Sequence, residues 1–296
     1  MMNDRLKIAI QKKGRLYEES MDLLKKCGAK LKPSRSDLFC HAENMPIDVL
    51  FVRDDDIPTL VKDNICDIGI VGENVLFECD YADNDNKSYF EVTKQLGFSK
   101  CRLSIAIQKD KKFNGIQDLD GSKIATSYPN ILRNFLNTNN LNADILTISG
   151  SVEIAPILNM APAICDLVST GKTLEENGLK EATKILDSQA VLIKSQKPIS
   201  VAKLDIFELL LNRINGVIKA RGCKYVMFHA PKNSLDELKK LLPGSESLTV
   251  IPLGDEGDKV VVHVVTTEGV FWQTLEALKD AGASSILVLP IEKMLS

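Results

Sequence analysis

The sequence predicts an α/β protein of two sheet-and-helix lobes followed by a smaller module. Three observations point there. From Leu6 to Val168, short apolar runs alternate with helical stretches. Strands spaced by helices of about 10–15 residues imply parallel sheets with helices on both faces. An apolar segment from Lys184 to Lys194 can carry the chain back to the first lobe, leaving a cleft between the two. The residues after Gly222 read β-α-β-β-α-β, which is the ferredoxin-like plan.

The elements follow in order. Leu6–Ile10 is a short apolar strand. A helix runs from Arg15 to Cys27, with Leu16, Leu23 and Leu24 at helical spacing and Gly28 as its stop. Ile47–Val52 is a strand. Asp54, Asp55 and Asp56 then open a helix, where acidic groups suit the positive end of the dipole. Asp67–Gly72 is a buried strand ending in glycine. The second lobe begins near Cys101. Its strands are Arg102–Gln108, Lys123–Ser127, Ile145–Ile148 and Ala163–Val168, with helices at Pro129–Asn137, Val152–Leu158 and Leu174–Asn177. A helix from Val201 to Ala220 links to the last module. There, Tyr225–His229, Leu248–Ile251, Val260–Val265 and Ser285–Leu289 are strands, and Ser234–Leu242 and Glu268–Lys279 are helices. The first lobe therefore takes residues 1–104 and 184–221, the second 105–183, and the last module 222–296.

Composition narrows the function. The 296 residues are 44% hydrophobic and 26% charged, enough for a sizeable core. Lys and Arg number 37 against 40 Asp and Glu, a net charge of −3 that argues against nucleic acid as a partner. No apolar run reaches the roughly 18 residues of a membrane span. The N-terminus lacks a secretory apolar region, so a cytoplasmic location is expected. Seven cysteines form no CxxC pair, and three histidines lie far apart, which disfavours a disulfide framework or a zinc site.

The most informative segment is Ile164–Thr173, ICDLVSTGKT: a strand ending in Asp166, a Ser169-Thr170-Gly171 turn, then Lys172 and Thr173 opening a helix. Backbone N–H groups and hydroxyls there form a phosphate cradle. A Walker A loop is excluded, because it needs glycine five residues before Gly171 and that position holds Asp166. A loop for the 5-phosphate beside an acid for the ribose hydroxyls is what a 5-phosphoribosyl diphosphate site requires. Taken alone, an ordinary capped turn explains it as well. Gln11–Arg15 carries Lys12, Lys13 and Arg15 beyond the first strand, where α/β sheets bind ligands, and suits a diphosphate. Gly72-Glu73-Asn74 and Ser127-Tyr128 also follow strands, and Gly150-Ser151-Val152-Glu153 precedes a helix. Each is weak singly; jointly they fall at one edge of the inferred sheets.

The segments Lys7–Leu16, Arg53–Pro58, Gly69–Asn74, Ile124–Pro129, Gly150–Pro156, Asp166–Gly171 and Gly282–Met294 resemble those of the ATP phosphoribosyltransferases of histidine biosynthesis, in their long form. The resemblance runs through the whole chain in order. It implies a catalytic part with the fold of periplasmic type II binding proteins and an ACT-like C-terminal module that binds histidine. It implies transfer of phosphoribosyl from 5-phosphoribosyl diphosphate to N1 of ATP, a Mg2+ requirement met mainly through substrate phosphates, and a homohexamer. The implied catalytic residues are Lys12, Arg15 and Glu153. Phosphoribosyl diphosphate falls to Gly150, Ser151, Val152, Asp166, Ser169, Thr170, Gly171, Lys172 and Thr173. ATP falls to Gly14, Arg15, Leu16, Glu73, Asn74, Arg102, Ser127 and Tyr128, and histidine to His229, Ser284 and Ser285. Two positions depart from the family: Ile157 stands where members commonly carry Arg, and Pro162 where they carry Asp.

Overall fold

The computed structural model describes residues 5–33, 38–82, 89–242, 248–254, 258–266 and 272–294. Contacts divide the chain into two units, 1–207 and 208–296. The division falls inside the linking helix rather than at residue 222, because that helix runs unbroken from Val201 to Ala220.

Through the first lobe, chain order is β1 (Leu6–Gln11), α1 (Arg15–Lys26), β2 (Leu31–Pro33), β3 (Phe39–Ala42), β4 (Ile47–Val52), α2 (Ile57–Lys62), β5 (Ile68–Gly72), α3 (Glu73–Ala82) and β6 (Phe90–Gln95). The second lobe holds β7 (Cys101–Gln108), β8 (Lys123–Thr126), α4 (Pro129–Thr138), β9 (Asp144–Thr147), β10 (Ala163–Val168), α5 (Lys172–Glu176) and β11 (Leu179–Ser188). Then β12 (Ala190–Ser195) returns to the first lobe and α6 (Val201–Ala220) follows.

The sheets are mixed, not parallel. The first has order β2-β3-β4-β1-β5-β12-β6, and the second β11-β7-β10-β8-β9. Only β4-β1-β5 and β10-β8-β9 run parallel. The reason is connection length. A parallel neighbour needs a crossover of a dozen residues, whereas short links and returning strands pair antiparallel. The apolar run 184–194 is likewise two strands: β11 lies wholly in the second sheet, with Ser188 opposite Cys101, and β12 in the first. The lobes therefore exchange near residues 96–100 and at Gln189, not at 104 and 184. The two crossings bond to each other through Leu96 N to Ala190 O (2.9 Å) and Ala190 N to Phe98 O (3.0 Å).

Burial explains the pattern. In β5 the four residues Ile68–Val71 are all buried, as a central strand covered on both faces requires. A Cβ at Gly69 would lie 2.6 Å from Ile57 Cγ2, so α2 can sit on β5 only because that residue has no side chain. Ile57, Val61, Val71, Val75 and Val191 fill the layer. The second sheet is also covered twice, by Ile131, Leu132 and Leu136 of α4 on one face and by Val152, Ala155 and Leu174 on the other. The helix expected at Val152–Leu158 shrinks to a 3-10 turn, Val152–Ile154. Pro156 offers no N–H to continue it.

The second unit holds β13 (Lys224–Pro231), α7 (Leu235–Lys240), β14 (Thr249–Pro252), β15 (Lys259–Thr266), α8 (Trp272–Asp280) and β16 (Ser284–Pro290). Its sheet order, β14-β15-β13-β16, is fully antiparallel, as the ferredoxin-like plan requires. Val226, Phe228, Val260, Val262 and Val264 face Leu238 and Leu278 of the helices. The start of the helix expected at Glu268 lies outside the described residues.

Candidate active site

In the first two sheets each parallel trio ends at one edge, and Gln11–Arg15, Glu73, Asn74, Ser127, Tyr128 and Asp166–Thr173 sit at those ends. In the first lobe, β1 delivers Gln11–Arg15, β4 delivers Arg53–Asp56 and β5 delivers Glu73 and Asn74. Lys12 N donates to Val52 O at 2.8 Å, which fixes the basic turn against the acidic one. No side chain caps α1 at Gly14, so the first-turn N–H groups of this 12-residue helix, Leu16 among them, are left for an anion. Lys12, Lys13 and Arg15 are exposed beside them.

In the second lobe, β8 delivers Ser127 and Tyr128, β9 leads into Gly150–Glu153, and β10 delivers Asp166–Thr173. The corners are laced together: Ser127 Oγ donates to Ile148 O (2.7 Å) and accepts from Gly150 N (3.3 Å). Thr126 Oγ1 donates to Cys165 O (2.8 Å) and accepts from Tyr128 N (2.9 Å). Gly171 has φ +83°, and a Cβ there would meet nothing within 4 Å. The position is open to a ligand and its backbone suits glycine. Ser169, Thr170, Lys172 and Thr173 are exposed around it. α5 is only five residues long, so the cradle is the turn itself.

The two edges face each other. Arg15 Nη1 donates to Ser169 Oγ at 3.4 Å. Asn74 Nδ2 donates to Tyr128 OH at 3.2 Å, while Ser188 Oγ donates to Asn74 Oδ1 at 2.8 Å. Glu78 of α3 takes the N–H groups of Asn130 (2.9 Å) and Ile131 (3.0 Å) at the start of α4. Arg102 Nη1 donates to Ser169 O (3.2 Å), and its Nε and Nη2 clamp Glu181 at 2.6 and 2.5 Å. That guanidinium, with Ser104 behind it, holds the Glu181 carboxyl below the usual range. Burial raises Asp166, with the Leu167 N–H opposing and the Glu153 charge adding, so Glu153 stands within electrostatic reach of it. Burial also drives Tyr128 well upward, reinforced by Asp166, Asp54 and Asp55. It therefore stays a neutral phenol, whose oxygen accepts from Asn74.

Not every expected residue is free for a ligand. Glu73 has one carboxylate oxygen on Gln95 Nε2 (3.1 Å) and the other on Gln189 N (3.2 Å), which ties it to the crossing. Val152 is buried and offers only backbone. Ile157 is 58% exposed, and Pro162 is also exposed. Sequence reasoning missed Glu78, Glu181 and the Tyr17–Phe51 edge-to-face pair. The rings help line a cavity of about 510 Å3 beside Lys12 and Gly14, along with Phe39. No spacing marks Glu78 or Glu181, because their partners lie 52 and 79 residues away in the chain.

In the second unit, His229 pairs in register with Ser284, and Ser285, at φ +51°, follows. The three candidate residues thus share one end of the β13–β16 seam. Among the described residues, no group of three or more His, Cys, Asp or Glu could hold a metal ion, and no helix is long and apolar enough to cross a membrane.

Residues 53–216 match the family model for ATP phosphoribosyltransferase, and residues 220–293 match that for the HisG C-terminal domain. Among solved structures, an ATP phosphoribosyl transferase (HisG:HisZ) complex from Thermotoga maritima is similar at 28% identity and a TM-score of 0.61. The match covers 73% of this chain and 98% of that one. Two others are similar at much lower identity. The BvgS periplasmic VFT2 domain of Bordetella pertussis is 10% identical, with 72% and 87% covered and a TM-score of 0.47. Arginine-bound truncated ArgBP of T. maritima is 10% identical, with 72% and 95% covered and a TM-score of 0.46.

Proposed function

The chain belongs to the ATP phosphoribosyltransferase family of histidine biosynthesis, and on that premise we propose that it joins N1 of ATP to C1 of 5-phosphoribosyl diphosphate and releases diphosphate. One observation carries the reading: Arg15, at the end of the basic turn, reaches Ser169 of the Ser/Thr/Gly loop at 3.4 Å. A diphosphate leaving group and a 5-phosphate would then be held within one cleft.

The chemistry asks for alignment rather than a covalent nucleophile. The N1 lone pair forms the new bond to C1 as the C1–O bond breaks, and that electron pair leaves with diphosphate. Holding both substrates in line could lower the barrier by about 7–11 kcal/mol. The turn Ser169–Thr173 grips the 5-phosphate, with Gly150–Val152 alongside, and Asp166 accepts from the ribose hydroxyls. Lys12 and Arg15 meet the departing diphosphate. Gly14, Leu16, Asn74, Arg102, Ser127 and Tyr128 receive ATP. The proton of the adenine amino group goes to Glu153 or Glu73, the two carboxylates at these strand ends. Mg2+ commonly binds through one or two carboxylates plus substrate phosphates; here the substrate phosphates would hold it, with Asp166 and Glu153, within electrostatic reach of each other, as the carboxylates at the loop. When bound, it neutralises charge on the diphosphate.

Histidine is proposed to bind at His229, Ser284 and Ser285 and to inhibit. A homohexamer in the cytoplasm, without a separate regulatory subunit, completes the proposal, because this chain has its own C-terminal domain. The test is incubation with ATP, 5-phosphoribosyl diphosphate and Mg2+. Equimolar diphosphate and phosphoribosyl-ATP, identified by mass spectrometry, are expected. Diphosphate without the nucleotide adduct would overturn the reading. Size-exclusion chromatography with light scattering tests the hexamer.

A further inference from the structure

We infer that Glu78 is a positioning residue of the first lobe that holds the substrate-facing corner of the second. Helix α4 has no cap of its own: Tyr128, at its N-cap position, makes no side-chain capping bond. Pro129 has no N–H, and Leu132 N bonds Tyr128 O within the helix (3.1 Å). The two donors between them, Asn130 N and Ile131 N, both go to the Glu78 carboxylate at 2.9 and 3.0 Å. Asn130 Nδ2 returns a bond to Glu78 O at 3.3 Å. Thus the first turn of α4 is completed by the other lobe.

The placement makes little sense for Glu78's own helix. It lies in the C-terminal half of α3, whose last turn has no basic residue, and a negative charge there opposes the α3 dipole. The same charge is favourable at the α4 N-terminus. Asn74, four residues earlier and on the same face of α3, donates to Tyr128 OH. One helix face therefore touches Tyr128, Asn130 and Ile131 together. The same corner carries Tyr128 and Ser127, the residues proposed to receive ATP, just before α4. Phosphoribosyl diphosphate, in contrast, is read chiefly by the turn after β10, which Glu78 does not touch. Glu78 should then govern the nucleotide side of the cleft.

The substrate arm of the test rests on the transferase reading; the exchange arm does not. Glu78→Ala and the near-isosteric Glu78→Gln are compared with the wild type by hydrogen–deuterium exchange, by steady-state kinetics and by calorimetric ATP binding. In Glu78→Ala, exchange in the segment containing Asn130 and Ile131 should rise at least tenfold while β10 is unchanged. KM for ATP should rise at least tenfold while KM for 5-phosphoribosyl diphosphate moves less than threefold. Glu78→Gln, which keeps one acceptor oxygen, should fall between. If Glu78→Ala does not fold, the Gln variant carries the test with the same selective shift. A lower melting temperature with both KM values changed alike would make Glu78 a structural cap only and overturn the inference. Unchanged exchange would also overturn it. A wild type that yields no phosphoribosyl-ATP removes the transferase reading, and exchange and ATP binding then decide Glu78 alone.

Discussion

Arg15 in the first lobe and Ser169 in the second, 154 positions apart in sequence, meet across the cleft at 3.4 Å. Both are exposed. A long, solvated contact of this kind adds little to stability, so the guanidinium is available to an incoming anion. Arg15 also lies 3.5 Å from Glu19, one turn along α1, which steers it without burying it.

Arg15→Ala should therefore cut kcat at least tenfold while the melting temperature stays within about 2 °C of wild type. Steady-state kinetics and a thermal melt check this together. A loss under about threefold, below roughly 1 kcal/mol, would leave Arg15 as a surface charge.

Gly171→Val probes the phosphate turn. No atom crowds the site, so the substitution acts in two ways. A β-branched residue at φ +83° costs about 1–3 kcal/mol of backbone strain, and its side chain occupies the approach to the ligand. Affinity for 5-phosphoribosyl diphosphate, measured by calorimetry, should drop at least tenfold in a protein that still folds. Unchanged affinity would take this turn out of the site.

Asp166 links stability to function through pH. Burial raises its folded pKa above the unfolded value. The native state therefore holds the proton more tightly than the unfolded chain, and stability declines as pH rises through the raised value. Asp166→Asn should melt higher than wild type at pH 7 and gain nothing at pH 3. The wild type should bind 5-phosphoribosyl diphosphate more weakly as pH falls through the raised pKa, and the Asn variant weakly throughout. Melting curves at pH 3–8 and calorimetry at pH 4–8 test both halves.

Much of this was legible in the chain because it is local. β1, α1, β4, β8, α4 and β10 announce themselves by apolar runs and by Gly28 and Pro129. The turn Ser169–Thr173 is contiguous, so its place between β10 and α5 could be read without the fold. What escaped was relational. β2, β3 and β6 are short or edge strands whose partners decide them, and β6 alternates little. β11 and β12 merged into one apolar segment because only Gln189 separates them. Glu73 is tied to the crossing by Gln95 and Gln189, partners 22 and 116 residues away that no spacing marks. Glu78 looked like any helical glutamate, since its role is defined by the donors of α4.

Strand register brings His229 opposite Ser284, and a register shift between Met227 and His229 interrupts regular pairing there. Ser285, at φ +51°, turns β16 into this end of the seam. A left-handed conformation in a residue other than glycine is uncommon and clusters at functional sites. Both serines are exposed and His229 is half-buried, so hydroxyls and an imidazole are offered to a small polar ligand. The core beneath them, Phe228 and Ala230 against Leu238, does not depend on either serine side chain. Ser285→Trp should therefore leave the fold and the uninhibited rate near wild type while blocking the site sterically. Coupling between a regulatory site and a catalytic one is typically about 1–3 kcal/mol, or 5–150-fold. With the site blocked that coupling cannot act, so the Trp variant should keep its full rate at histidine concentrations that half-inhibit the wild type. Linkage makes the effect reciprocal: in the wild type, ligands that favour the active state should weaken histidine binding, and in Ser285→Trp histidine should not bind measurably. Calorimetry with histidine, paired with inhibition curves on the full chain, reads both. Full sensitivity and full affinity in the Trp variant would place the inhibitor elsewhere on the molecule.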